Sequence, residues 1–242
     1  MRVLLIIPAY NEERNILRTV NHVRNYRCCN QEIVLDYIVI NDGSTDNTKK
    51  VCMQENLKCL SLMQNLGIGG AVQTGYIYAY LNDYDVAVQF DGDGQHDIES
   101  LERLLEPILS QECDFVIGSR FLDGSSQFKS TRMRRMGIAW LSKIIKIFSG
   151  IVVKDPTSGF RAANKKCIRI FAYNYPVDYP EPESIVMLSK KNIRICETQV
   201  NMFEREDGKS SINIGKSVYY MFKETLAIVC ASFQKVMVDK EE

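Results

Sequence analysis

Short apolar runs alternate along the chain with segments whose apolar positions recur every three to four residues. "RVLLIIPAY" is a run of Leu and Ile ended by proline, which predicts a strand buried on both faces. "NEERNILRTVNHVRNY" follows, with Ile16, Leu17, Val20 and Val23 at helical spacing. "DYIVIND" predicts a second buried strand, and "GSTDNTKKVCMQE" starts with capping residues and turns helical. The pattern then repeats. "KCLSLM", "DVAVQF" and "DFVIGSR" predict strands, while "GIGGAVQTGYIYAYL" and "DIESLERLLEPIL" predict helices.

Strands that alternate with helices imply an α/β fold with a mainly parallel central sheet and helices on both faces. The loops at the strands' carboxyl ends then gather on one edge, where open α/β sheets bind ligands. Those loops are "PAYNE", "NDGSTD", "NLGIGG", "DGDGQHD" and "GSRF". After Arg120 the alternation breaks into a polar loop ending in "RMRR", a helix over "MGIAWLSKIIKIFSG", and a turn "DPTSGFRAANKK" leading to a short extended piece. A helix begun by prolines ("PEPESIVMLSKK") and a half-buried strand ("IRICETQVNMF") come next. "EREDGKSS" lacks periodicity, and a C-terminal amphipathic helix, "IGKSVYYMFKETLAIVCASFQKV", follows it.

Composition narrows the class without naming the chemistry. The 242 residues suit one large domain, and Lys+Arg balance Asp+Glu at 30 each, so bulk charge points to no nucleic-acid partner. The 8 cysteines are scattered without a CxxC pair, as expected of a reducing, cytoplasmic compartment. Pro8 and the acidic residues after it stop the first apolar run too early for a signal peptide. No stretch approaches the ~20 apolar residues of a membrane span.

The polar loops hold the candidate chemistry. In "DGDGQHD", Asp91 and Asp93 flank a glycine that lets a ligand approach the backbone closely. Hard carboxylate oxygens at this spacing suit Mg2+ or Mn2+, whose shell is completed by water and phosphate. A calcium loop is excluded, because a strand precedes the motif and its twelfth position, Glu102, falls inside a predicted helix. In "NDGSTDNT", a cap explains Ser44, Thr45 or Asp46 but not Asp42, which precedes it and is placed to meet a nucleobase or ribose. "NLGIGGAVQTG" matches neither the dinucleotide fingerprint nor the P-loop.

Taken in order, "PAYNEE", "NDGSTDNT", "NLGIGGAVQTG", "DGDGQHD", "GSRF", "DPTSGFRA" and "REDGKSS" resemble family 2 glycosyltransferases, nearest the dolichyl- and polyprenyl-phosphate sugar transferases and related bacterial polysaccharide enzymes. The resemblance implies a GT-A fold, a nucleotide-sugar donor with UDP favoured, a Mg2+ or Mn2+ ion, and inversion at the anomeric carbon. It implies that Pro8, Tyr10 and Glu12 line the nucleotide pocket, that Asp42 meets the base, and that Gly70 borders it. Asp91 would face ribose or metal, and Asp93 with Gln95 would hold the metal on the diphosphate. His96 is expected to support the loop rather than to ligate, and His22 to be structural.

On the acceptor side, the resemblance places Arg120 and Arg134 or Arg135 on an acceptor phosphate, a polyprenyl phosphate or the end of a glycan. Arg132 reads as a solvated basic residue. Arg205 and Ser210 would close over the donor diphosphate. A base, which a hydroxyl acceptor needs, falls to Glu181 or Glu183, with Glu183 preferred. Residues 1–214 form the expected catalytic domain, with 1–120 its donor half and 121–214 its acceptor half. The helix over 215–242 is too apolar to be wholly solvated, and is expected to hold the protein at the inner face of the cell membrane, on lipid or on a membrane partner protein, with burial in the core or pairing of copies of the chain as the competing readings. The competing class is a non-catalytic nucleotide-sugar scaffold of the same fold. A nucleotidyltransferase would want a basic first loop where this chain has "PAYNEE".

Overall fold

The computed structural model describes residues 1–122, 132–203 and 214–233; within these, the side chains of 132, 134 and 214–220 are left aside. A seven-stranded sheet runs through the molecule in the order β3-β2-β1-β4-β6-β5-β7. Its strands are β1 (Arg2–Ala9), β2 (Val34–Asn41), β3 (Cys59–Ser61), β4 (Val86–Gln89), β5 (Phe115–Ser119), β6 (Arg161–Asn164) and β7 (Ile195–Gln199). Around them lie α1 (Ile16–Asn25), α2 (Thr48–Gln54), α3 (Gly67–Leu81), α4 (Leu101–Leu109), α5 (Arg132–Ser149), α6 (Lys165–Tyr173), α7 (Pro180–Ser189) and α8 (Ile214–Phe233).

The unbroken apolar run of β1 explains its central place. Leu4 and Ile6 face one layer, with Tyr76 of α3, Phe171 of α6 and Ile185 of α7. Val3, Leu5 and Ile7 face the other, with Ile16 and Val20 of α1 and Leu101 of α4. Every one of these strand side chains is fully buried, a burial that contributes roughly 1.5–3 kcal/mol per large aliphatic residue.

The sheet departs from the simple alternation in one respect. β4 and β5 are not neighbours, because β6 runs antiparallel between them, pairing Val88 with Ala162 and Val116 with Ala162 from its two sides. Chain order shows which segments are strands, while neighbour choice depends on the return of the chain through α5, which periodicity does not encode. α6, directly after β6, was also not anticipated. Asn164 caps it by accepting the Cys167 N–H at 3.1 Å, and Cys167, Ile168 and Phe171 share its buried face.

In α8, Ile228 and Ala231 join the core, whereas Phe222, Leu226 and Phe233 are exposed. The helix lies on α5 and α7, and Trp140 Nε1 donates to Thr225 Oγ1 at 3.1 Å. Among the described residues, no helix is long and apolar enough to cross a membrane.

Candidate active site

The carboxyl ends of β1, β2 and β4 open onto a cleft of about 450 Å³. Pro8, Tyr10 and Glu12 line it from the loop after β1, Asp42 from the loop after β2, and Asp91 and Asp93 from the loop after β4. Asn65, Gly67 and Ile68 close one side at the start of α3, and Glu181 enters from the first turn of α7.

The first two loops are fastened to each other by side chains. Asn11 adopts a left-handed backbone (φ 57°), a conformation asparagine tolerates, and its Oδ1 accepts the Thr45 N–H at 2.8 Å. The Asn11 N–H donates to Ser44 Oγ at 3.0 Å, and the Glu13 N–H to Asp46 Oδ2 at 3.1 Å. Glu13 returns the exchange by accepting the Asn47 N–H at 2.9 Å. Asp42 fixes the third loop in the same way, its Oδ1 accepting the Leu66 N–H at 2.7 Å. This lattice of side chain to backbone bonds holds the walls of the cleft without regular structure. The acidic "NEE" and polar "STDNT" runs serve largely this purpose.

The loop after β4 is built around His96. Its Nδ1 accepts the Asp91 N–H at 3.0 Å, so the proton sits on Nε2, 3.4 Å from Asp91 Oδ2. The imidazole stacks on Phe160 at 4.8 Å. Burial pushes its pKa down to about 4, outweighing the nearby Asp93, so the ring is neutral and the contact to Asp91 is not an ion pair. Gly92 packs where a Cβ would sit 2.8 Å from the Pro8 carbonyl oxygen, which brings the loop against β1. Asp93 Oδ1 accepts the Gln95 N–H at 3.0 Å. Among the described residues, no group of three or more His, Cys, Asp and Glu side chains is arranged to hold an ion by itself. Two carboxylates on one glycine-linked turn fit Mg2+ or Mn2+ that takes its remaining ligands from water and a diphosphate.

The model of glycosyl transferase family 2 matches residues 4–173. The chain belongs to glycosyltransferase family 2. This glycosyltransferase is 30% identical over 241 residues to the UDP-N-acetylglucosamine–dolichyl-phosphate N-acetylglucosaminyltransferase of Methanococcus voltae, an alignment covering 90% of this chain and 93% of that one. It is also 30% identical to the undecaprenyl-phosphate mannosyltransferase of Micrococcus luteus, covering 89% of each. Among solved structures, glucosyl-3-phosphoglycerate synthase from Mycobacterium tuberculosis, in complex with Mn2+, UDP-glucose and phosphoglyceric acid, superposes with a TM-score of 0.71. That likeness covers 98% of this chain and 81% of the other at 15% identity, and it shows the shared GT-A fold.

Not every residue expected at the site of the glycosyltransferase lines this cleft. Glu181, rather than Glu183, lines the cleft. Burial raises the pKa of both. Glu183 rises to about 7, with Asp178 adding to the effect, while Arg161 opposes the rise at Glu181. Both glutamates lie in the first turn of α7, and only the helix's roll decides which faces the cleft. Gly70 does not line the cleft and packs against Leu66, while Gly67 and Ala71 take its place. Gln95 is likewise outside the lining, and its carbonyl accepts the Phe203 N–H at 2.8 Å.

Arg120 is 4% exposed, and its guanidinium grips Asp155, Nε to Oδ2 at 2.7 Å and Nη2 to Oδ1 at 2.7 Å. Nη2 also donates to Thr157 Oγ1 at 2.9 Å. A fork engaged in this way, against a carboxylate with no exposure, holds the "DPTS" turn to the end of β5. Arg135 is exposed in the first turn of α5, with the backbone of Arg134 beside it. Arg205 and Ser210 lie outside the described residues.

Sequence reasoning passed over Arg161, the largest fully buried side chain among the described residues. Its Nε donates to the Ser158 carbonyl at 2.6 Å and its Nη2 to the Pro156 carbonyl at 2.8 Å. Its Nη1 donates to the Glu181 carbonyl at 2.7 Å and to Ser184 Oγ at 2.8 Å. A lone Arg in an extended apolar piece was the available signal, since a buried guanidinium must collect acceptors.

Proposed function

We propose that this glycosyltransferase moves a sugar from a UDP-sugar onto the phosphate of a polyprenyl carrier at a membrane surface, with inversion at the anomeric carbon. The observation that carries the proposal is the meeting of Tyr10, Asp42, Asp91, Asp93 and Glu181 in one cleft at the carboxyl edge of the sheet. A nucleotide needs an aromatic or apolar wall and hydrogen-bonding groups for its base and ribose, and it needs countercharge for its diphosphate. Tyr10, Pro8 and Asp42 supply the first set, and Asp91 and Asp93 are the residues that would hold Mg2+ or Mn2+ against the diphosphate. Such an ion supplies countercharge to the departing nucleotide. The relatives from Methanococcus voltae and Micrococcus luteus support a polyprenyl-type phosphate as acceptor, and the former supports UDP.

The acceptor oxygen gives a lone pair to the anomeric carbon as the bond to the diphosphate breaks, and that bond's electron pair leaves with UDP. A phosphate is already anionic and needs no base. Glu181 then serves the sugar, accepting from one of its hydroxyls, and Arg120 holds the floor of the acceptor side through Asp155. We assign contact with the acceptor phosphate to Arg134 or Arg135, which the sequence puts at the start of α5, the positive end of that helix. Cations there repel each other and the helix dipole, and a bound phosphate relieves both. We place Arg205 and Ser210 over the donor diphosphate, as the resemblance implies.

The outward faces of α5 and α8 fit a lipid surface. Met136, Trp140 and Ile147 are exposed on α5, and Phe222, Leu226 and Phe233 on α8. α5 has no acidic residue and carries exposed Lys143 and Lys146 besides its arginines. That combination attracts anionic headgroups and buries apolar side chains at their boundary.

The test supplies Mn2+, a short-chain polyprenyl phosphate and one radiolabelled donor at a time, UDP-N-acetylglucosamine, UDP-glucose or GDP-mannose. We expect label in the organic phase from a UDP-sugar, and none when the free polyprenol replaces its phosphate. Label from GDP-mannose alone, or transfer only to a glycan, would overturn the reading.

A further inference from the structure

A second cavity, of about 510 Å³, opens at the amino end of β2 beside the end of α1. Small-molecule sites commonly measure ~300–1,000 Å³. Val23 and Leu57, both buried, form its floor. Tyr37, in its wall, precedes Asp42 of the cleft by five residues, about 16 Å along an extended strand. The two cavities share no lining residue.

The walls of this second cavity concentrate positive charge. Arg24, Arg27 and Lys58 line it against a single acid, Asp36. Asp36 is already engaged. Its Oδ2 accepts from the Tyr84 hydroxyl at 2.8 Å, and its Oδ1 lies 3.6 Å from Lys58 Nζ. Arg24 is fixed in place by three contacts. Its Nε donates to the Tyr37 hydroxyl at 3.0 Å and its Nη2 to the Asn56 carbonyl at 3.0 Å, while its guanidinium carbon lies 5.5 Å from the centre of the Tyr37 ring. Part of the charge answers the negative end of α1, where Arg27 Nη1 donates to the Arg24 and Tyr26 carbonyls at 2.8 and 3.0 Å. A helix end carries only roughly half a charge, so three cations exceed what it requires.

Tyr37 indicates what chemistry the cavity takes. Its hydroxyl oxygen accepts from Arg24 Nε and also from the Lys58 main-chain N–H, at 3.3 Å. A phenol oxygen that accepts twice has only its own proton left to offer. Among the described residues, no acceptor takes that proton. The cavity therefore adds a neutral donor to its three cations, and what it lacks is an acceptor with negative charge.

We propose that this cavity is a second ligand site, separate from the cleft, that binds the phosphate group of a small soluble molecule. The phosphate oxygens accept from the Tyr37 hydroxyl and from Arg24, Arg27 and Lys58, and charge-assisted bonds of this kind are the strong ones. The volume exceeds what one phosphate fills, so the ligand is larger than inorganic phosphate, of the size of pyrophosphate or a nucleoside monophosphate. The apolar floor receives its uncharged part.

The test titrates pyrophosphate and uridine monophosphate into the protein by calorimetry. A chelator is present, so that no divalent ion carries phosphate into the acidic cleft. Wild type is compared with the double variant Arg27→Gln/Lys58→Gln, with Tyr37→Phe, and with Asp93→Asn as the control at the cleft. We expect one ligand per chain, weakened roughly tenfold or more by the double variant and about fivefold by Tyr37→Phe, and unchanged by Asp93→Asn. Wild-type protein that binds neither ligand overturns the proposal, and so does binding that the double variant leaves unchanged. Arg27 and Lys58 are exposed, so if Tyr37→Phe fails to fold the double variant decides alone. Flotation with vesicles containing phosphatidic acid separates the two sources of phosphate. Vesicle binding lost in the double variant, with no soluble ligand bound by wild type, would assign the cavity to a lipid headgroup and overturn the soluble ligand.

Discussion

Gly159 leaves room for the Asp91 carboxylate at the wall of the cleft. A methyl group there would meet Asp91 Oδ2 at 2.8 Å, closer than real Cβ contacts come, and Asp91 must swing away. Gly159→Ala should therefore weaken Mn2+-dependent UDP binding on the order of tenfold, with little change in melting temperature, because the displaced atom is the end of a side chain at a cavity wall. Calorimetry with and without Mn2+ measures it, and equal affinities for the two proteins would remove Asp91 from the metal's surroundings. At this scale the sequence was legible where a residue's type is rare in its context. Asp91 and Asp93 between glycines, and Asp42 ahead of a cap, stood out, and all three line the cleft. It did not tell which of two residues of one type would line the cleft, as with Glu181 and Glu183 in one helical turn. It was also illegible where a charge is absorbed by a distant partner, as Arg120 is by Asp155, thirty-five positions along the chain.

Between elements, one ion pair ties β5, β6 and β7 together at the end of the sheet far from the cleft. Asp114 Oδ2 accepts from the Arg194 main-chain N–H and Nε, both at 3.0 Å, and its Oδ1 accepts from Asn164 Nδ2 at 3.0 Å. Hydrogen bonds from Arg194 hold the Asp114 carboxyl down to about 2, against an ordinary 3.8. A carboxyl whose pKa is lower in the folded state contributes its stability above the unfolded value and loses it as pH falls through the folded one. The contribution is about 1–2 kcal/mol once solvent around the half-exposed Arg194 is counted, and it should disappear between roughly pH 4 and pH 2. Asp114→Asn should lower stability at neutral pH and flatten the acid limb of the unfolding curve in that window. An acid limb identical to wild type would show that the pair contributes nothing. Element identity was largely readable from apolar periodicity. The strand order was not, because β6 inserts between β4 and β5 by a contact that no local pattern records. α6 escaped notice for a related reason: its buried face, Cys167, Ile168 and Phe171, is too short to show a period.

Across the whole molecule, the boundary expected at residue 120 does not divide the architecture. β5, β6 and β7 complete the same sheet that β1 to β4 begin, and Glu181 of α7 lines the cleft at the carboxyl ends of β1, β2 and β4. The α5 and α8 faces give the molecule a side. If that side meets lipid, the protein should float with vesicles containing anionic lipid, and it should release them in high salt or when Trp140 and Phe222 are both changed to Glu. Flotation that neither salt nor the double change reduces would assign the membrane contact to another surface.

Arg161 has a wider consequence. Its guanidinium draws the Pro156, Ser158 and Glu181 carbonyls and the Ser184 hydroxyl around one buried positive charge, as a metal ion gathers oxygen ligands. The framework joining the turn before β6 to the first turn of α7 is thus moulded on a cation that the chain synthesises as part of itself. The donor side, on our reading, takes its cation from solution. A chelator should then divide the site in two, abolishing donor capture while leaving the melting temperature of the free protein unmoved. Supply of the ion would set when the enzyme works, and its shape would be indifferent to that supply.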